Sequence, residues 1–139
     1  MGYAPDRVVG EAEEAVRLEL DELRLDGWTI MHDVSQAQEG AIDHILAGPA
    51  GLFLLATRRN AYTDRNVVKV RRQAARLHDE LGVWITPVVC LYGRDQAPTQ
   101  QCGVWVIPRP RIIAWLRAQC NQPVDVDRLA RFAGSVIEE

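Results

Sequence analysis

The sequence predicts a single α/β domain, in which one mixed β-sheet is flanked by helices. Its 139 residues suit one domain, and 47% apolar with 25% charged residues is the balance of an ordinary globular protein. Segments with apolar residues at spacings of three and four, typical of helices, alternate with short apolar segments typical of strands. The predicted order of elements is α-β-β-β-α-β-β-α-α.

The first half is predicted to contain one helix followed by an antiparallel meander of three strands. The helix covers about residues 6–25, and Gly27 ends it. The strands are predicted over residues 28–34, 41–47 and 52–56. A polar loop joins the first two strands, and Gly48-Pro49-Ala50-Gly51 is a turn by composition.

The second half is predicted to begin with a helix over about residues 65–81, capped by Gly82. A strongly apolar strand over 83–92 should be central in the sheet, with Pro87 at its start or at a bulge. The remaining predicted elements are a polar loop (93–101), a short strand (103–107), a helix (108–120) and a last short helix (about 126–137). The core is placed at about residues 8–120, with a helical extension over 121–139.

The cysteines and the hydropathy pattern favour a cytoplasmic protein that does not enter the membrane. Cys90, Cys102 and Cys120 are odd in number and form no CxxC pair, so they are expected to be reduced thiols. A zinc site would need clustered Cys or His residues, which the sequence lacks. No apolar run approaches the roughly 18 residues of a membrane span, and residues 1–7 lack the apolar stretch of a signal peptide.

Charge is unevenly distributed, although the net charge is only −3. Between Glu11 and Asp26 there are seven acidic residues against two arginines, and between Arg58 and Arg76 seven basic residues against Asp64 alone. Such asymmetry says more about partners than the total does. On the second helix, Arg65, Lys69, Arg72 and Arg76 form a basic stripe opposite the apolar face. It is either a solvated outer face or a contact for phosphates.

Two acidic residues stand out. Asp43 interrupts an apolar strand, where an unpaired buried carboxylate costs several kcal/mol. It is therefore either hydrogen-bonded structurally or functional. Glu13 lies nearer the apolar stripe of the first helix than Glu11 or Glu14 do, so it is the acid best placed to look along the sheet. Gln73 flanks the apolar stripe of the second helix. His32, His44 and His78 show no ligand spacing and are interpreted as core or surface residues.

Taken together, these residues resemble a known family. The resemblance rests on the segments Gly10-Glu11-Ala12-Glu13, Gly27-Trp28, His32-Asp33-Val34, Ile42-Asp43-His44-Ile45-Leu46-Ala47-Gly48-Pro49-Ala50-Gly51-Leu52-Phe53-Leu54-Leu55, Arg72-Gln73-Ala74-Ala75-Arg76-Leu77 and Pro87-Val88-Val89-Cys90-Leu91. They are similar to the nuclease-related domain (NERD), whose motif has the form IDHhhhGPxGhFhhExK, with h apolar. The resemblance implies a three-layer restriction-endonuclease-like fold of the PD-(D/E)xK superfamily, with a mixed central sheet.

The resemblance also implies a site. In that superfamily the strand Asp and the acid of ExK bind Mg²⁺, and the Lys positions or activates the attacking water. An acid on the first helix and a Gln on the next complete the site. The corresponding catalytic positions here are Asp43, Glu13, Gln73 and Arg58. Asp43 and Glu13 would be weak ligands for Mg²⁺ or Mn²⁺ if the domain is active.

The ExK position departs from the family pattern, because it has the sequence Ala56-Thr57-Arg58. Ala56 replaces the expected acid and removes a metal ligand. Arg58 keeps the positive charge, but a guanidinium keeps its proton in proteins and therefore cannot act as a base. It can still clamp a phosphate through paired hydrogen bonds.

Three functions follow as hypotheses. The first is a catalytically degenerate domain, a pseudoenzyme, that binds nucleic acid or a DNA-processing partner protein in trans. Its basic residues would be Arg58, Arg59, Arg65, Lys69 and Arg72. The second is an active endonuclease that uses Mg²⁺ or Mn²⁺ held by Asp43 and Glu13. The third is a scaffold or regulatory module without a nucleic-acid role. A homodimer through apolar residues of the last two helices is a further expectation.

Overall fold

The computed structural model describes residues 4–36, 40–49 and 51–119, with side chains from Glu13 onward. The predicted last helix, the C-terminal extension and Cys120 lie outside these residues. The elements are α1 (Ala4–Asp21), β1 (Thr29–Gln36), β2 (Gly40–Gly48), β3 (Gly51–Arg59), α2 (Asp64–Leu81), β4 (Thr86–Tyr92), β5 (Thr99–Gln101), β6 (Val104–Pro108) and α3 (Arg109–Ala118). No helix among the described residues is long and apolar enough to cross a membrane.

The strands form one mixed sheet with the order β1-β2-β3-β4-β6-β5. β1, β2 and β3 pair antiparallel, which confirms the predicted meander. β3, β4 and β6 are parallel neighbours, and β5 pairs antiparallel with β6. The predicted α/β class is confirmed, and this sheet with its flanking helices is consistent with a restriction-endonuclease-like fold. β4 is central as expected, and Pro87 is its second residue.

Helices cover the two faces of the sheet and bury a separate core on each. On one face α2 contributes its apolar stripe: Val67, Val70, Ala74, Leu77 and Leu81. On the other face α1 and α3 contribute Val16, Leu20, Ile112 and Leu116. We call these the α2-side core and the α1-side core. β4 supplies both, with Val89 on the α2 side and Val88 on the α1 side, as alternation along a strand requires.

Local sequence signals explain the ends of α2. The Thr63 hydroxyl accepts a hydrogen bond from the Asn66 N–H (3.1 Å), and the Asn66 Oδ1 accepts one from the Thr63 N–H (2.8 Å). This reciprocal pair satisfies two donors at the helix start. At the other end Gly82 takes φ 70°, and its N–H donates to the His78 carbonyl (2.7 Å). The predicted glycine cap is therefore present.

Several predicted boundaries were wrong. The first helix ends at Asp21 and continues only as a 3-10 turn over Glu22–Asp26. β1 reaches Gln36, where a loop was predicted from residue 35. β5 arises inside the predicted polar loop 93–101, because its three residues pair with β6. β3 runs on to Arg59, so the degenerate ExK residues lie within the strand.

The side-chain alternation of β1 and β2 changes face at Asp33 and Asp43. Ile45 lies in the α2-side core, and so does Ile42, although the two are three positions apart and would lie on opposite faces of a regular strand. In β1, Val34 belongs to the α2-side core and Ile30 belongs to the α1-side core. Residues four positions apart in a regular strand would lie on the same face. Asp33 has φ 53°, a left-handed conformation that Asp tolerates better than most residues. This irregularity places both carboxylates where the sheet is locally distorted.

Candidate functional site

Asp43 is held at the middle of the site by the neighbouring strand. Its Oδ2 accepts a hydrogen bond from the backbone N–H of Thr57 (2.9 Å), and only 18% of its side chain is exposed. Burial raises the pKa of Asp43, and the Thr57 hydrogen bond and the charge of Arg58 offset this only in part. Asp43 is therefore a mostly buried carboxylate whose charge is only partly compensated by its neighbours.

Arg58 provides the positive charge next to Asp43. Its Nη1 lies 3.5 Å from Asp43 Oδ2. The same nitrogen donates a hydrogen bond to the backbone carbonyl of the preceding residue, Thr57, at 2.7 Å. The side chain is 24% exposed, so the guanidinium remains in contact with solvent. Arg58 is thus held beside Asp43 by one contact with its carboxylate and one with the Thr57 carbonyl.

Glu13 approaches the same place from α1. Burial raises the pKa of Glu13, and the negative charges of Asp43 and Asp33 raise it further, while Arg58 lowers it. The charge of Asp43 therefore acts on Glu13. The two sequence-predicted acids and Arg58 therefore belong to one electrostatic cluster. Asp33, which the sequence reasoning did not single out, is a further member.

A chain of buried hydrogen bonds runs behind this cluster. His32 Nε2 lies 2.8 Å from Asp21 Oδ1, and His32 Nδ1 lies 2.8 Å from His44 Nδ1. His44 Nε2 in turn lies 3.2 Å from the hydroxyl of Thr57, whose N–H binds Asp43. Burial lowers the pKa of His44 to about 3, so His44 is neutral. A neutral His44 donates through one ring nitrogen and accepts through the other, so it links His32 to the Thr57 hydroxyl.

A small polar cavity opens where this chain meets the acidic cluster. It has a volume of about 70 Å³ and is lined by Glu13, Glu14, Arg17, His32, Asp33 and His44. Arg17 Nη1 lies 3.7 Å from Asp33 Oδ2, with both side chains largely exposed. The cavity therefore has acidic and basic walls and is open to water.

The sequence comparison explains why these residues come together. The profile of the nuclease-related domain matches residues 9–92, more than half of the 139 residues. The chain belongs to the nuclease-related domain family. No curated protein and no solved structure matches the chain. The matched region includes Glu13, Asp43, Arg58 and Gln73.

In this NERD domain Gln73 lies deeper than its neighbours on α2. It is only 2% exposed, and its Nε2 donates to the carbonyl of Ala41 (3.1 Å). The backbone carbonyl of Gln73 accepts a hydrogen bond from Gln36 Nε2 (3.2 Å). These contacts connect α2 with β1 and β2 just before Asp43. They give Gln73 a structural part in holding the site.

Lys69 lies closer to the site than the helical pattern indicated. Its Nζ lies 3.6 Å from the point where a Cβ on Gly40 would stand, at the start of β2. Its charge lowers the pKa of Asp43 and so opposes the effect of burial. Lys69 therefore contributes positive potential at Asp43, although it is exposed on α2 like Arg65 and Arg72.

The donor set of this NERD domain is a poor fit for Mg²⁺. Mg²⁺ prefers octahedral oxygen ligands from carboxylates and water, but Ala56 offers no donor and is 4% exposed in the α2-side core. Asp43 already accepts the Thr57 N–H, and Arg58 brings a positive charge to the same oxygen. Among the described residues, no group of three or more His, Cys, Asp or Glu is arranged to hold a metal ion.

Sequence reasoning missed Asp33 and the His32–His44 pair. Both histidines face each other because β1 and β2 pair with His32 opposite His44. The signal was present in the two strands, but the pairing register depends on the connection between them, which the pattern did not specify. Asp33 lies beside the site because its backbone takes a left-handed φ, and no sequence pattern predicts this backbone angle.

Proposed function

We propose that this NERD domain binds the phosphate backbone of nucleic acid without cleaving it. The observation that carries the proposal is the exchange at the ExK position: Ala56 offers no ligand, and Arg58 lies 3.5 Å from Asp43. A guanidinium there brings a permanent positive charge next to the carboxylate and can bind a phosphate through paired hydrogen bonds. Arg59, Arg65, Lys69 and Arg72 would add sequence-independent attraction. The expected location of the protein is the cytoplasm.

The proposal is tested by binding of a labelled DNA oligonucleotide to the purified domain over a salt series. The binding constant should fall steadily as the salt concentration rises. A plot of its logarithm against the logarithm of the salt concentration should have a slope of about −0.7 to −0.9 per phosphate contact. It should be unchanged between EDTA and Mg²⁺, because the positive charge belongs to the protein. Absence of binding at low salt would remove nucleic acid as the partner and leave a scaffold or a partner protein in trans.

A restored site provides the matched control. The double variant Ala56→Glu/Arg58→Lys returns the ExK residues while keeping strand β3 otherwise unchanged. It should bind Mg²⁺ in a calorimetric titration, whereas the wild type should give no heat. Equal Mg²⁺ binding by both proteins would contradict the view that the ExK exchange abolishes the metal site.

One observation favours an active endonuclease as the second candidate. The negative charge of Asp43 raises the pKa of Glu13, and a cation bound between the two carboxylates would relieve this repulsion. The test is cleavage of plasmid and single-stranded DNA in Mg²⁺ or Mn²⁺. Loss of cleavage in Asp43→Ala would establish this activity, and cleavage that persists in Asp43→Ala would come from a contaminant.

A further inference from the structure

Three parallel strands end at one edge of the sheet, beside the candidate site. Arg59 pairs with Tyr92 at the end of β3 and β4, and Leu91 pairs with Pro108 at the end of β6. Arg109 follows at once as the first residue of α3. In open α/β sheets, ligands bind outside the carboxyl ends of the parallel strands. We call Arg59, Tyr92, Arg94 and Arg109 the arginine edge.

The Tyr92 ring holds two of these arginines in place. The guanidinium carbon of Arg109 lies 5.2 Å from the ring centroid, and that of Arg59 lies 5.9 Å from it. Cation–π contacts at such distances restrict the arginines without neutralising their charge. The side chains therefore lose less conformational entropy when an anion binds.

Acidic neighbours occupy only part of the edge. Glu19 of α1 accepts a hydrogen bond from Arg109 Nε (3.0 Å), and a guanidinium has five N–H donors, so donors remain for a second anion. Asp95 forms an ion pair with Arg111 at 3.0 Å, so the negative charge of Asp95 is compensated by that arginine. Arg94 is exposed two residues after Tyr92. The edge thus has an excess of positive charge that continues from Arg58.

The basic stripe of α2 is organised differently. Arg65 and Arg72 are exposed, and no described residue holds either of them by a hydrogen bond or ion pair. Surface arginines without such contacts lose side-chain rotamer freedom when they bind an anion. They are therefore less prepared for phosphates than Arg59 and Arg109.

We propose that nucleic acid lies along the arginine edge, with its phosphates on Arg59, Arg94 and Arg109, and that this edge contributes more to binding than the α2 stripe. This inference rests on the proposed function and specifies the surface that performs it. The contacts are to the backbone, so binding is independent of base sequence.

Two matched triple variants test the inference. One is Arg59→Gln/Arg94→Gln/Arg109→Gln at the edge, and the other is Arg65→Gln/Lys69→Gln/Arg72→Gln on α2. Each removes three positive charges from the full chain. Fluorescence anisotropy with a labelled 20-mer, single-stranded and duplex, is measured for both and for the wild type over a salt series, and circular dichroism melting checks folding.

The edge variant should bind at least tenfold more weakly than the wild type. The slope of log affinity against log salt concentration should be less steep by about 2 to 3. The α2 variant should stay within about threefold. Arg94→Gln alone cannot disturb a described contact, so a loss of about 1 in its salt slope supports the edge even if the triple variant folds poorly.

The opposite ranking, with the α2 variant weaker than the edge variant, overturns the inference but leaves the proposed function intact. Equal losses in the two triple variants overturn it as well. If the wild type binds neither oligonucleotide at low salt, the proposed function fails and the inference fails with it. The ratio of single-stranded to duplex affinity identifies which form the edge accommodates.

Discussion

At the residue scale, Asp43 is the more buried carboxylate of the acidic cluster, and its charge is stabilised only in part. Its pKa in the folded protein lies above the ordinary value of 3.8 because of burial. The folded state therefore keeps this proton to a higher pH than the unfolded chain does. The contribution of Asp43 to stability is present at low pH and is lost as the pH rises through the folded pKa.

We expect Asp43→Asn to be more stable than the wild type at pH 7, by roughly 0.5 to 2 kcal/mol. The amide oxygen can still accept the Thr57 N–H, and Arg58 is exposed enough to be hydrated. The advantage should disappear near pH 3.5, where the wild-type carboxyl is protonated. Urea unfolding at the two pH values measures it. A variant less stable than the wild type at pH 7 would show that Arg58 stabilises the ionised carboxylate more than burial opposes it.

His44 gives the opposite dependence on pH. Its pKa of about 3 lies below the ordinary value of 6.5, so the folded state favours the neutral ring. The corresponding stability is fully present above pH 6.5 and is lost as the pH falls towards 3. His44→Leu would leave His32 Nδ1 and the Thr57 hydroxyl without their partner in the described chain, which costs about 2 to 3 kcal/mol at pH 7.

The difference between His44→Leu and the wild type should shrink as the pH falls from 7 to 4, because only the wild type has the ring to protonate. Urea unfolding at pH 7, 5.5 and 4 follows this. His78→Leu is the matched control: His78 is exposed, so water can replace its bond to Val83 and the change should stay within about 0.5 kcal/mol. A constant difference over this pH range would mean that His44 is already protonated in the folded protein or that its ring is not buried.

At the element scale, the β2–β3 hairpin depends on the absence of a side chain at its end. A Cβ on Gly48 would overlap the indole carbons of Trp28, which is 6% exposed and packs against Phe53 at a centroid distance of 5.9 Å. This contact gives a physical reason for the first glycine of the Gly-Pro-x-Gly motif. Gly48 therefore allows the hairpin to pack closely against Trp28.

We expect Gly48→Ala to destabilise the domain by about 1 to 3 kcal/mol through overpacking. Trp28→Leu should itself be destabilising, but it removes the ring that the new methyl group meets. The double variant should therefore be less destabilised than the sum of the two single changes. Thermal or urea unfolding of the four proteins measures this coupling. Additive losses would mean that the backbone at Gly48, and not the Trp28 contact, explains the glycine.

Elements with a regular pattern were predictable, and those that depend on distant partners were not. The α2 helix was predicted within one residue, because its apolar stripe and Gly82 are local signals. β5 was missed since Thr99, Gln100 and Gln101 form a strand only by pairing with β6. The change of face at Asp33 was equally hidden, because it follows from one backbone angle.

At the scale of the whole molecule, the sequence indicated which residues lie near one another at the candidate site, but not how they are arranged. The family motif pointed to Glu13, Asp43 and Arg58, and the fold brings these three within electrostatic reach. The arginine edge had no such signal. Its arginines come from β3, the loop after β4 and the start of α3, so only the order of the parallel strands brings them together.

The sheet continues beyond the region that the family profile matches. The match ends at Tyr92, the last residue of β4, whereas β4 pairs on its far side with β6, and Ile112 and Leu116 of α3 complete the α1-side core. A fragment of residues 1–95 would expose the apolar edge of β4 and would lack Ile107, Ile112 and Leu116 of the α1-side core. We therefore expect it to aggregate or to lack cooperative unfolding, because an unpaired apolar strand edge invites association. A fragment of residues 1–119 should unfold cooperatively. Circular dichroism melting and size-exclusion chromatography compare the two, and a monomeric, cooperatively folding 1–95 fragment would show that the NERD match alone is a complete folding unit.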